Sequence, residues 1–321
     1  MSEEIERQTR AILRGDRLAI TRGITKVENE KEGWDELLSR LYRHSGEAYR
    51  IGVTGPPGAG KSTITQKLIA YYREHNKNVG VIAVDPTSPF TGGAILGDRV
   101  RMQSESMNEG VFIRSMATRG NLGGLNTKAQ DVADLLDAAG FGIIIMETVG
   151  VGQSELDVAD AADTTVVVLV PESGDSIQAM KSGLMEIADL FVMNKSDRDG
   201  ADQAVSALKT ILTMRITHAN DQWHPDVIRT VGTTGKGIDI LAQRIDHHHH
   251  FMTEHGLFQK RQTHREEQRV RELAEELLSK SFWTEERSTL LKELAPKISA
   301  RDISPQEAAL HLTTHEVGAI E

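Results

Sequence analysis

No part of this chain limits its possible folds more than Gly55-Pro56-Pro57-Gly58-Ala59-Gly60-Lys61-Ser62, spaced G-x-x-x-x-G-K-[ST]. An apolar run at 49–54 precedes it, short enough for a buried strand, and the spacing of Ile64, Leu68, Ile69 and Tyr72 behind it predicts a helix. Strand, glycine turn and helix in that order are the setting a phosphate-binding loop requires. Glycines let consecutive backbone N–H groups approach phosphate oxygens without Cβ clashes, at the positive end of a helix dipole. On this reading Lys61 is an exposed loop cation that reaches the β- and γ-phosphates, and the Ser62 hydroxyl ligates Mg²⁺.

The base is selected far downstream, at Asn194-Lys195-Ser196-Asp197, which follows a second strand-like run at 190–193. The Asp197 carboxylate can accept from both N1–H and the exocyclic amine of guanine. Adenine offers no such donor pair, so a site built around this carboxylate rejects ATP and takes GTP or GDP.

Short apolar runs at 49–54, 79–84, 111–114, 142–146, 164–170, 190–193 and 227–231 alternate with helical spacing. Near-continuous apolar strands separated by helices predict an α/β fold, a P-loop NTPase with a mostly parallel sheet covered by helices on both faces. The flanks read as helical. Trp34, Leu37, Leu38 and Leu41 form one apolar stripe, and Val270, Leu273, Ala274, Leu277 and Leu278 form another that overlaps a strongly charged stretch at 260–276. The expected division is an N-terminal helical extension at 1–46, a GTPase domain at 47–245 and a C-terminal helical region at 246–321.

With 37 basic and 47 acidic side chains the formal charge is −10, which does not favour nucleic acid or an anionic membrane as partner. The absence of cysteine excludes a disulfide framework and Cys-based metal or redox sites. No apolar run is long enough to span a bilayer and the first residues lack a signal-type apolar core, so a cytoplasmic protein is expected.

Other residues complete a phosphoryl-transfer site. The run at 142–146 ends in Glu147-Thr148-Val149-Gly150, where Glu147 can hold Mg²⁺ through water and the Gly150 N–H can sense a γ-phosphate. Asp85 and Asp98 follow the second strand and can approach the metal, Asp98 being the better candidate for direct contact. Val151 stands where Ras-like GTPases place a water-orienting Gln, so hydrolysis is expected to be slow without help. Four consecutive histidines, His247 to His250, point in directions about 100° apart on a helix and cannot converge on one ion, so they read as an exposed helix surface or interface.

The segments GPPGAGKST, VDPTSPFTGGAILGDRVRM, TRGNLGGL, ETVGVGQSE, GDSIQAMKSG and NKSD, in this order and spacing, resemble the MeaB/ArgK family. These are SIMIBI-class GTPase chaperones of adenosylcobalamin-dependent methylmalonyl-CoA mutase and related acyl-CoA mutases. The likeness runs over about residues 24–245, with the helical flanks alike in layout only. It implies a homodimer, dimerising through the C-terminal helices, that gates cofactor delivery to a mutase, with its adenosyltransferase as a further partner. By this resemblance Gly55, Pro56, Pro57, Gly58, Ala59, Gly60, Lys61, Ser62 and Thr63 wrap the phosphates. Ser62 and Asp98 ligate Mg²⁺, Glu147 is the acid of the second switch, and a mobile segment at 172–183, with Asp175, Gln178 and Lys181, couples nucleotide state to the mutase. Arg119 either stabilises transition-state charge or anchors a glycine loop. The second base-contacting loop departs from the family's usual Ser-Ala, with Val231-Gly232-Thr233 in its place; backbone contacts to guanine survive that change. The D-x-H-x-x-G signature of a cobalt-ligating His is absent, so no direct cobalamin binding is expected. Two other classes fit parts of the pattern. A metallochaperone GTPase has only the His run in its favour. A kinase of a transport binding protein would need an acceptor site of which the sequence shows no sign.

Overall fold

The computed structural model describes residues 2–85, 108–117, 127–148, 154–173, 183–215 and 223–314. Each of the seven apolar runs is a strand: β1 (Tyr49–Thr54), β2 (Val79–Asp85), β3 (Val111–Ala117), β4 (Ile143–Thr148), β5 (Thr164–Leu169), β6 (Leu190–Met193) and β7 (Asp226–Arg229). They form one sheet in the order β3-β2-β4-β1-β5-β6-β7, and every described pairing is parallel. β1 lies between β4 and β5, and the crossover out of β1 runs toward β2 while that out of the neighbouring β5 runs the other way, toward β6. Such a switch point opens a crevice at the carboxyl ends of the strands, where ligands bind in this class of sheet.

The twelve described helices are α1 (Ser2–Leu13), α2 (Arg17–Glu28), α3 (Trp34–Tyr42), α4 (Lys61–Glu74), α5 (Thr127–Ala138), α6 (Ser154–Ala161), α7 (Leu184–Ile187), α8 (Ala201–Arg215), α9 (Ile238–Glu254), α10 (Leu257–Phe282), α11 (Glu285–Ser299) and α12 (Pro305–Thr314). Alternation along β4 shows why both faces need cover. Ile143 and Ile145 pack with α4 and α9, while Ile144 and Met146 turn to the face occupied by α5 and α6.

The N-terminal helices belong to that second face. Ile5, Ile12, Ile20, Ile24, Leu37 and Leu41 are fully buried in one core with Ile82, Val132, Leu136 and Ile144. Each such burial contributes about 1.5–3 kcal/mol, enough to fasten three short helices that would be marginal alone. A buried ion pair, Arg50 Nη2 to Asp134 Oδ1 at 2.5 Å, ties β1 to α5. Asp137 accepts from the Gly46 and Ala48 N–H groups at 2.6 and 3.1 Å, fixing the entry into β1.

The chain divides into two compact units, residues 1–263 and 264–321. Residue 246 lies inside α9, whose Leu241, Ala242 and Ile245 are buried with the sheet, so the nucleotide unit extends beyond the expected 245 to residue 263. The second unit has a small core of Leu294, Ala308 and Leu312. Its stripe residues Val270, Leu277 and Leu278 are about two-thirds exposed. No helix among the described residues is long and apolar enough to cross a membrane.

The histidine run departs from expectation. His247 and His250 are exposed, but His248 is completely buried at the amino-terminal edge of the sheet. Its Nδ1 lies 2.5 Å from the Thr164 hydroxyl, which also bonds the Tyr49 hydroxyl. Trp223 packs edge-on to the imidazole with ring centroids 4.6 Å apart. Nearby, Arg261 donates to both oxygens of Asp189 at 2.9 and 3.2 Å and to the Asp163 carbonyl at 2.6 Å. A helix turned fully to solvent on its polar side would not bury an imidazole. Here α9 rolls one of the four histidines inward because 3.6-residue periodicity puts it on the face of Leu241 and Ile245.

Candidate nucleotide site

The loop from Gly55 to Gly60 leaves the carboxyl end of β1 and turns directly into α4. Gly55 has φ +134°, and a Cβ there would stand 2.1 Å from the Val168 carbonyl oxygen; at Gly60, with φ +92°, a Cβ would stand 2.4 Å from Asn194 Nδ2. Only glycine fits either position. Gly60 caps α4 with no side-chain hydrogen bond to the helix, so the first-turn N–H groups are left to an anion at the loop mouth.

Lys61 is the first residue of α4 and only 7 % exposed, not the exposed loop residue expected from sequence. Its Nζ donates to the Gly55 and Pro56 carbonyl oxygens at 2.7 and 3.2 Å, arching over the loop. The ammonium is thereby held over the loop by two carbonyl oxygens. Ser62 Oγ donates to Glu147 Oε1. Parallel pairing sets Glu147 beside Val53, at the level where β1 gives way to the loop. Beneath them the Thr148 hydroxyl donates to that of Thr54 at 3.0 Å, both fully buried.

Asn194 joins three elements of the base side. Its Nδ2 donates to the Ala59 carbonyl at 2.8 Å, and its Oδ1 accepts from the Gly232 N–H at 3.0 Å and the Thr230 hydroxyl at 3.1 Å. Lys195, at φ +54°, sends Nζ back to the Gly58 carbonyl at 2.9 Å. The motif at the end of β6, the phosphate loop and the loop after β7 are thus locked into one rim. Asp197 and Thr233 are exposed on it, and Val231 and Gly232 are buried behind it. Pro56 and Pro57 line the outer turn of the loop and Ala59 is buried, while Thr63 stands in the first turn of α4.

Asp98, Arg119, Gly150 and Lys181 lie outside the described residues, as does the side chain of Asp85, the last residue of β2. Two contacts had no warning in the sequence. Thr230 supports Asn194 from β7's exit, and Arg198, one residue beyond Asp197, pairs with Glu172 at the head of the 172–183 segment. The Arg198 hydrogen bond holds the Glu172 carboxyl below the usual range. Exposed opposite charges on distant segments carry no pattern that could be read in advance.

Ser62 and Glu147 offer only oxygen donors, one of them a carboxylate, which is the chemistry Mg²⁺ requires. Among the described residues no cluster of three His, Asp or Glu suits a transition metal. The glycine-built loop on β1, the uncapped helix start and the lysine arch define a P-loop nucleoside triphosphatase.

Comparison with known proteins narrows this class. The family model for methylmalonyl Co-A mutase-associated GTPase MeaB matches residues 20–287. A Pyrococcus abyssi protein named as a GTPase is 45 % identical over 310 residues, covering 96 % of this chain and 94 % of that protein. GTPase ArgK of Escherichia coli is 35 % identical, over 92 % and 94 % of the two chains. The mouse mitochondrial methylmalonic aciduria type A homolog is 36 % identical over 81 % of this chain and 66 % of its own. A crystal structure described as LAO/AO transport system kinase superposes with TM-score 0.73 at 28 % identity, covering 98 % and 97 % of the chains. The chain belongs to the MeaB family of GTPases.

Proposed function

We propose that this GTPase hydrolyses GTP to GDP and phosphate in the service of an adenosylcobalamin-dependent acyl-CoA mutase, gating cofactor delivery and protecting the mutase. The observation that carries the reading is the Asn194 junction, which makes the guanine-selecting strand end and the phosphate loop one rigid unit. The family description names methylmalonyl Co-A mutase, which supports a mutase of that kind as the partner.

In this reading Asp197, exposed on the rim, receives the guanine N–H pair, and the loop from Gly55 to Thr63 wraps the phosphates. The arched Lys61 moves its ammonium from loop carbonyls toward the γ-phosphate as charge develops there. Ser62 and Glu147, with Asp98, hold Mg²⁺, which when bound neutralises phosphate charge. Gly150 senses the γ-phosphate, and Lys181 and Arg119 contribute cations. The C-terminal unit, residues 264–321, acts as a dimerisation arm, for which the exposed Val270, Leu277 and Leu278 are an apolar surface of the right kind. Cobalamin is handled by the partner rather than bound directly.

Co-migration with a purified acyl-CoA mutase on size exclusion tests this. A complex whose stability differs between a non-hydrolysable GTP analogue and GDP is the expected outcome. A nucleotide-independent result, or no complex, contradicts it. Radiolabelled GTP that left its phosphate on a protein rather than in solution would favour a kinase.

A further inference from the structure

A groove of about 580 Å³ between α1 and α2 has a charge opposite to that of the molecule as a whole. The chain's formal charge is −10, yet Arg7, Arg22, Lys26 and Lys31 all line this groove. None of the four pairs with a carboxylate among the described residues. Two acids border the same groove. Asp16 accepts from the Ala19 N–H at 2.7 Å as the cap of α2, and Glu4 stands exposed on α1. Glu28 and Glu30, which could have neutralised the basic side chains of α2, instead pair with Arg114 on β3 and Lys128 on α5. Glu28 and Glu30 are therefore committed to holding α2 on the domain.

The layout selects the kind of ligand. Arg22 and Lys26 are one turn apart on α2, Lys31 lies beyond its end, and Arg7 faces them from α1. Three of the four are exposed and Lys26 is half-buried, so they form a row rather than a closed pocket for one compact anion. Leu18, 58 % exposed, adds an apolar contact on the groove's border. We propose that this groove docks an acidic segment of a partner protein, its carboxylates spaced along Arg7, Arg22, Lys26 and Lys31 and an apolar side chain resting on Leu18. Each exposed ion pair contributes little by itself, so docking is weak, steeply salt-dependent and serves mainly to steer and orient association. The inference stands apart from the choice of partner above and does not involve the nucleotide site.

Fluorescence anisotropy of a labelled peptide of four Glu-Glu-Leu-Ala repeats, titrated with the full-length protein, tests it. Binding is expected at about 50 mM salt and should weaken at least about tenfold at about 300 mM. R22E/K26E should lower affinity by about tenfold or more, and Arg7→Glu, on the other helix, should act in the same direction. R14E/R43E, an equal charge change at exposed sites outside the groove, should leave affinity within about twofold. All three variants should keep wild-type basal phosphate release. An equal loss in R14E/R43E would reduce the effect to net charge and overturn the proposal. Displacement of the peptide by equimolar tripolyphosphate would make the groove a small-anion site instead. If wild type ignores the peptide while light scattering shows R22E/K26E breaking an oligomer, the face joins copies of this chain and the proposal fails.

Discussion

At Asn194 a single amide holds the Ala59 carbonyl, the Gly232 N–H and the Thr230 hydroxyl, and Asp197, three residues on, is exposed on the same rim, where we propose that it receives guanine. Replacing Asp197 by Asn removes a charged acceptor for two guanine donors and puts an N–H₂ in its place. The expected loss is about 3 kcal/mol, roughly a hundredfold in GTP affinity, with little change in ATP affinity. Competition titration measures both. Equal wild-type affinities for GTP and ATP would overturn the base assignment. Lys61→Ala removes the ammonium that arches over Gly55 and Pro56. Hydrolysis should fall by about a thousandfold or more, while stability drops by about 1–3 kcal/mol, because the buried Gly55 carbonyl loses its charged donor. A single-turnover assay beside a urea melt separates the two effects; wild-type turnover in this variant would place the chemistry elsewhere.

Elements explain both what could be read in advance and what could not. All seven strands announced themselves because a parallel sheet covered on both faces needs continuous apolar runs, and 49–54 and 190–193 match β1 and β6 residue for residue. The phosphate loop and the motif after β6 were equally legible, since both depend on local backbone geometry and short spacing. The histidine run was not. Which of four neighbours turns inward depends on the roll of α9 against β5 and β6, a tertiary choice. Burial holds the His248 imidazole down to about 4, against the pull of Asp189 in the other direction. A depressed histidine pKa means the unfolded chain takes up the proton first. The stabilisation is therefore fully present above about pH 6.5 and is lost as pH falls from about 6.5 to about 4, by up to about 3 kcal/mol. Urea midpoints at pH 7.5 and pH 5 should diverge more in the wild type than in His248→Gln. Equal shifts in both would show that His248 is not the group responsible.

Across the sheet, the carboxyl edge carries the glycine loop, Glu147 and the Asn194 junction, and the amino edge carries the polar network of Tyr49, Thr164, His248, Asp189 and Arg261. β5 and β6 connect the two, and at their carboxyl ends Arg198 and Glu172 pair the base loop with the start of the 172–183 segment. With Val151 in the place of a water-orienting Gln, we propose that Lys181 supplies the missing catalytic group once a partner is bound. Lys181→Ala should leave basal hydrolysis nearly intact and remove most of any partner-dependent increase. Unchanged stimulation would exclude Lys181 from that role. We propose a guanine-specific hydrolase paced by a cobalamin-dependent mutase. Phosphate release from GTP and from ATP, each with and without a purified acyl-CoA mutase, tests it most directly. The account predicts slow release from GTP alone, a severalfold or greater rise with the mutase and next to none from ATP; comparable rates with the two nucleotides, or a GTP rate indifferent to every acyl-CoA mutase, would contradict it.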